Sequence, residues 1–170
     1  MGKKSTKENK NRYHLAREEL GLTREEAADL LGGLTADRIE KIENQRMDPQ
    51  PYDVLEMAQG YKKPSLCNYY CSHQCPIGRQ YVPEVQVKEL SSIVLEMLAS
   101  LNAVNKQKDR LIEITADGKI SGEEIDDFIY IQEELERISI TVETLQLWAE
   151  KMLANGVIDA DIYNARKKKQ

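Results

Sequence analysis

Only two histidines, His14 and His73, occur in the 170 residues, and nothing resembles a phosphate-binding loop or a nucleophile elbow. No catalytic set stands out, so the chain does not read as an enzyme. It also lacks any apolar run approaching the roughly 18 residues that a membrane span needs. The first dozen residues are polar and lysine-rich, without the apolar core of a secretory signal. These absences lead to the expectation of a cytoplasmic protein with no membrane segment. Cysteine is scarce as well, with three in all. What remains is ordinary: 31% charged and 41% hydrophobic residues rule out global disorder. The length fits one large domain or two small ones.

Charge is unevenly distributed. Residues 1–63 hold 12 basic and 12 acidic side chains, whereas residues 64–170 hold 12 and 17. Within the neutral half, Lys3, Lys4, Lys7, Lys10 and Arg12 face only Glu8, so residues 1–11 read as a basic arm able to grip phosphates. A solvated terminus is the plain alternative.

The most informative stretch is Leu22 to Asn44, LTREEAADLLGGLTADRIEKIEN. Thr23 and Glu26 form an S/T-x-x-E capping box, and Ala27, Leu30 and Leu31 follow at helical spacing. Gly32 and Gly33 then stop the helix. Thr35 can cap a second helix whose inward face is Ile39 and Ile42. Before this pair, residues 11–20 read as a helix with Tyr13, Leu15, Ala16 and Leu20 inward, ended by Gly21. After it comes a loop with Pro49 and Pro51, then a helix from Asp53 to Tyr61 offering Val54, Leu55, Met57 and Ala58 to the core.

Two short helices joined by a glycine-bearing turn match the helix-turn-helix, whose second helix lies in the DNA major groove. From Arg12 to about Lys62 the chain resembles the phage-repressor-like, or xenobiotic-response-element, helix-turn-helix family. LTREEAADLLG, RIEKIEN and the proline loop leading into VLEMAQGY carry the resemblance. Arg24 stands where members often have Gln, Gln45 where a glycine often ends the motif, and Gly33-Leu34 lengthens the turn by one residue. The resemblance implies sequence-specific binding of double-stranded DNA, as a dimer on a two-fold operator. By matched position it implies Arg24 for phosphate contact, and Thr35, Ala36, Asp37, Arg38 and Lys41 for the groove-facing side. Arg38 can fork onto guanine, Asp37 can accept from cytosine, and the Ala36 methyl suits thymine. Asn44 and Arg46 lie within reach of the backbone. Asp37, Glu40 and Glu43 keep this helix from being basic, and Glu43 reads as structural. A helix-turn-helix reused as a protein-interaction adaptor is therefore the alternative.

Cys67, Cys71 and Cys75 fall within nine residues, with His73 among them. Clustered cysteines in a cytosolic chain point to metal or redox chemistry more than to disulfides. On an unbroken helix they would span about 12 Å, too far for one zinc with Zn–S bonds of about 2.3 Å. Pro76 disfavours helix at Cys75 and so allows a bend. Cys71-x3-Cys75-Pro76 echoes the last step of a ferredoxin run. An iron–sulfur cluster, a zinc site and a packed turn of buried thiols all remain open.

Beyond Pro83, Val87, Leu90, Val94, Met97, Leu101, Val104, Lys108 and Leu111 recur at alternating steps of three and four. Ile125, Phe128, Gln132, Leu135, Ile138, Val142, Leu145, Ala149 and Met152 do the same. Two helices of about 30 residues, joined by TADGKISG, predict an antiparallel hairpin. Its uncovered apolar surface suggests self-association into a four-helix bundle, hence a homodimer. The connector from Glu113 to Glu124 resembles a calcium-binding EF-hand loop, but Asp117-Gly118 as a turn and Ser121/Glu124 as a cap explain it better. Asp159 to Arg166 reads as a short last helix before a lysine tail.

The expectation is an all-α chain. Residues 12–63 form a repressor-like helix-turn-helix domain and 64–83 a cysteine-containing linker. Residues 84–153 form a coiled-coil-like dimerising hairpin, and 154–170 a helix and tail.

Overall fold

A computed structural model describes residues 9–168. Lys3, Lys4 and Lys7 of the basic arm and Lys169 of the tail lie outside them. Every regular element among the described residues is helical. Val85–Trp148 forms one compact unit, and the residues before and after it form another.

The N-terminal core is built by α1 (Arg12–Glu19), α2 (Arg24–Leu31), α3 (Ala36–Glu43) and α4 (Pro51–Gly60). Their starts and stops are the expected ones. Asn11 accepts from the His14 N–H to cap α1, and Thr23 and Glu26 cap α2 reciprocally. The Thr35 hydroxyl accepts from the Arg38 N–H at 3.2 Å to cap α3. Gly32 ends α2 at φ +69. Gly33 serves a different purpose: a Cβ there would lie 2.8 Å from the Glu56 carboxylate, so it permits close approach rather than a left-handed turn. Leu34, the extra residue of the turn, is buried and plugs the core. Gln45 sits at φ +57, the conformation a glycine would take without strain.

Tyr13, Ala16, Ala27, Leu31, Ile39, Ile42, Val54, Met57, Ala58 and Tyr61 fill the centre. Leu15, Leu20, Leu30 and Leu55, expected inside, are substantially exposed. On α1 the inward places go instead to His14 and Arg17, because Arg17 has a buried partner. That partner is Glu43, whose side chain is fully buried. Its carboxylate accepts from Arg17 Nε at 2.6 Å, Arg17 Nη2 at 2.9 Å and Arg24 Nε at 2.9 Å. Arg17 Nη1 also donates to the Leu22 carbonyl at 2.5 Å. One carboxylate on α3 thereby ties α1 and α2 together.

Beyond α4, α5 (Ser65–Tyr69) runs into one π-helical turn, Tyr70–Gln74, and then α6 (Gly78–Tyr81). This segment packs onto α1. Tyr13 donates to Gln74 Oε1 at 2.6 Å and meets Tyr69 edge-on at 6.1 Å. Arg12 stacks 4.4 Å above the Tyr69 ring and binds Glu84 at 2.7 Å. The stretch after the helix-turn-helix is thus a docked extension of it. The expected last helix is present as α10 (Ala160–Lys167), capped by Asp159.

The second unit holds α7 (Leu90–Lys106), α8 (Lys108–Thr115) and α9 (Ile125–Ala154) up to Trp148. The first arm of the hairpin is therefore broken at Gln107, and it starts at Leu90 rather than just past Pro83. Arg110 on α8 binds Asp127 on α9 at 2.6 Å. Farther from the turn, Glu96, Ala99 and Ser100 face Arg137, Ile140 and Thr141 across a gap of about 310 Å³. Distance from the turn matches on the two arms, which makes them antiparallel. The connector takes the turn-and-cap form, with Gly118 at φ +72 and the Ser121 N–H donating to Glu124.

The inner seam lies half a step from the expected one. Ile93, Ser100, Ile114, Ile131, Glu134 and Thr141 are buried, while Met97, Val104, Leu111, Ile138 and Leu145 are half-buried. Leu90, Val94, Leu101, Leu135 and Val142 stay exposed. Thr141 and Thr144 tolerate burial because their hydroxyls donate to carbonyls one turn back.

Two outcomes follow for the N-terminal core. Glu43→Ala strands two arginines and should cost about 3–5 kcal/mol, read as a drop in the urea midpoint by circular dichroism. An unchanged midpoint would remove Glu43 from its structural role. Burial, above all, pushes the Tyr13 and Tyr61 hydroxyls well above the tyrosine range. The folded state keeps protons that the unfolded chain releases near pH 10, so stability is full below about pH 10 and falls above it. The Tyr61 hydroxyl has no hydrogen-bond partner among the described residues. Tyr61→Phe should therefore be neutral or stabilising by up to about 1 kcal/mol at neutral pH, and should flatten the alkaline decline. Denaturant melts at neutral and alkaline pH check both.

Candidate nucleic-acid interface and cysteine segment

Thr35 through Asn44 presents the candidate reading surface. Ile39, Ile42 and Glu43 face inward, which leaves Thr35, Asp37, Glu40, Lys41 and Asn44 on the outer side of α3, with Ala36 and Arg38 at its margin. Arg46 follows just beyond the helix. Thr35 is at once the cap of α3 and its first outward group.

Each cation here has an acidic partner within the chain. Lys41 binds Asp37 at 2.7 Å, one turn earlier on α3. Arg46 lies 3.6 Å from Glu40, which also accepts from Asn44 Nδ2 at 3.0 Å. Arg24 turns its Nε edge to Glu43 with its side chain 31% exposed, so its outer end still reaches solvent. Arg38 makes the most directional pair. Its Nε donates to Asp53 Oδ1 at 2.8 Å and its Nη2 to Asp53 Oδ2 at 2.7 Å, a bidentate contact from α3 to α4. Asp53 Oδ2 also accepts from the Gln50 N–H at 2.6 Å, capping α4. Burial opposes the Asp53 charge, but hydrogen bonds from Arg38 and Gln50 outweigh it and hold the carboxyl below its usual range.

The surface is therefore charge-balanced and ordered by ion pairs. It can offer specific hydrogen-bonding edges, but little net attraction for phosphate. Sequence reading assigned Arg38 to the groove and missed Asp53, whose signal was its place three residues into a proline-started helix. It also missed Arg17, which stands at a helical step among apolar residues.

The three cysteines are arranged differently from a metal centre. Cys75 is extended, with ψ 122, before Pro76, and its N–H donates to the Tyr70 carbonyl five residues back at 2.9 Å. The chain bends there as expected. Even so, no three His, Cys, Asp or Glu side chains among the described residues are grouped to hold a metal ion. His73 turns away to stack on Tyr69 at 4.7 Å and to approach Glu84 at 3.4 Å. The residues present do not fit zinc or an iron–sulfur cluster. Burial, and then its neighbour Cys71, raises the Cys67 thiol; burial, and then Cys75, raises Cys71. The Cys75 sulfur accepts from the Gly78 N–H at 3.4 Å. A Cβ on Gly78 would sit 2.2 Å from the Cys71 carbonyl oxygen, so the segment closes on itself with no room for a side chain. Nothing in the cysteine spacing signalled the π-helical turn that brings this about.

No helix among the described residues is long and apolar enough to cross a membrane. No curated protein and no solved structure matches the chain. Residues 14–65, about a third of its length, match the helix-turn-helix family, and the match covers α1 through α4. The capped pair α2–α3, the glycine-ended turn and the buried Glu43 all lie within it. That segment is a phage-repressor-like helix-turn-helix domain, of the kind found in DNA-binding transcription regulators.

Proposed function

We propose that this protein regulates transcription as a homodimer that places α3 of each copy in the major groove at a two-fold operator. Thr35, Ala36, Asp37, Arg38 and Lys41 face the bases, while Arg24, Asn44 and Arg46 reach phosphate. The observation that carries this reading is α3 itself: capped, anchored inward by Ile39, Ile42 and Glu43, and polar along its outer side. The outer end of Arg24, at the start of α2, is placed for phosphate beside a helix N-terminus.

Exposed apolar rows support dimerisation through the hairpin. Val94 and Leu101 lie seven residues apart on α7, and Leu135 and Val142 seven apart on α9, all outside the inner seam. Two such rows in each copy can close a four-helix bundle. Metal or redox control through the cysteines is not part of the proposal, since their side chains do not converge.

A second reading, a protein-interaction adaptor, draws on one specific observation: the cations around α3 are paired, so its surface is neutral. The two readings separate on random duplex DNA. A DNA-binding protein should lose affinity steeply between about 50 and 200 mM salt, whereas an adaptor should show no binding at the lower salt. Electrophoretic mobility shift with the full chain reads this directly. For the dimer, light scattering coupled to gel filtration should give twice the chain mass. Val94→Glu combined with Leu101→Glu should halve it while circular dichroism stays helical. A wild-type chain that remains monomeric at high micromolar concentration would refute the hairpin interface.

A further inference from the structure

The Arg38–Asp53 pair leaves a particular part of the guanidinium free. Arginine has five N–H donors in a rigid plane. Asp53 takes the Nε hydrogen and one Nη2 hydrogen. Both Nη1 hydrogens and the second Nη2 hydrogen remain, on the outer end of the same plane. That end has the spacing that forks onto guanine O6 and N7. The Arg38 side chain is 35% exposed and Asp53 7%, so the carboxylate is the fixed partner and the guanidinium the presented one. Asp53 is itself held by the Gln50 N–H in the first turn of α4. The support for Arg38 thus comes from a different helix than the one that carries it.

We propose that Asp53 is a specificity-determining positioning residue: it grips Arg38 along the Nε/Nη2 edge and so aims the Nη1/Nη2 edge at one guanine per half-site. This rests on the DNA-binding reading above. An unsupported arginine can sample phosphates and neighbouring bases as well as guanine. A side-on carboxylate removes those alternatives and neutralises the charge, so the pair contributes direction rather than general attraction. A guanine contact made in this way should discriminate bases while barely altering the salt dependence of binding. A free arginine on a phosphate would change the salt slope by about one.

The test selects binding sites from randomised duplexes with the full chain, then measures affinity for the selected site, for variants of its guanine, and for random DNA across salt. Wild type should prefer guanine at one position of each half-site, and Arg38→Ala should abolish that preference. Asp53→Asn keeps an oxygen for the Gln50 cap and loses the paired carboxylate. It should weaken the guanine preference by about tenfold and leave random-duplex affinity and the salt slope unchanged. In the Arg38→Ala background Asp53→Asn should add nothing, because its effect passes through Arg38. Asp53→Ser, another capping residue, replaces Asn if that variant melts early.

An Asp53 variant that keeps the guanine preference overturns the proposal. So does one that lowers specific and random binding equally, or one that acts without Arg38, since each would make the pair merely structural. Absence of random-duplex binding by the wild-type chain at low salt overturns the DNA-binding reading itself, and this inference with it.

Discussion

A single buried carboxylate organises the N-terminal unit. Glu43 sits at the end of α3 with its side chain out of water, and it can stay charged there only because arginines compensate it. Arg17 arrives from α1 and Arg24 from α2, each with directed N–H bonds. Those bonds fix the angles among three short helices that share few large side chains. His14 completes the surround, with Nε2 3.1 Å from Glu18 and Nδ1 3.9 Å from Glu43. The orientation of α3 therefore depends on an ion pair as much as on the apolar core. The requirement explains why polar His14 and Arg17 occupy the inward side of α1 while Leu15 and Leu20 do not.

The same device recurs at the surface with a different consequence. Arg38 with Asp53, Lys41 with Asp37 and Arg46 with Glu40 order the outer side of α3 but cancel its charge. Long-range attraction to a polyanion scales with uncompensated charge, whereas recognition of a base edge scales with how well a donor is held in place. This surface favours the second over the first. Such a division suits a domain whose neighbouring arm is rich in lysine.

The rest of the chain builds outward from that domain in two ways. The cysteine segment turns back through a π-helical turn and packs Tyr69 and Gln74 against Tyr13, so its thiols serve packing rather than a shared ligand. The hairpin keeps a seam containing Ser100, Glu134 and Thr141 for itself and turns its leucines and valines outward. Burying polar side chains while exposing aliphatic ones is a poor arrangement for an isolated helix pair. It is a reasonable one for half of a larger bundle.

Local physics was legible in the sequence. Caps at Thr23, Thr35 and Asp159, the stop at Gly32, the bend at Cys75 and the inward Ile39 and Ile42 follow from interactions within one or two turns, and each stands where the residues put it. The helical hairpin and its tight connector were equally plain, because periodicity and turn residues act along the chain. Three-dimensional partners decided the rest. Whether Arg38 is free or held depends on Asp53, 15 residues away on another helix, and whether Arg17 is buried depends on Glu43, 26 residues away. The seam of the hairpin was ambiguous because each arm carries apolar residues on two adjacent heptad rows. Periodicity shows that both rows exist, but only packing selects which one closes within the chain. Cysteines four residues apart likewise say nothing about where the sulfurs point once the helix widens by a residue. The sequence alone determined the helices, their ends and the helix-turn-helix. The tertiary structure decided which charges stay free and which faces remain open, because both depend on partners distant along the chain.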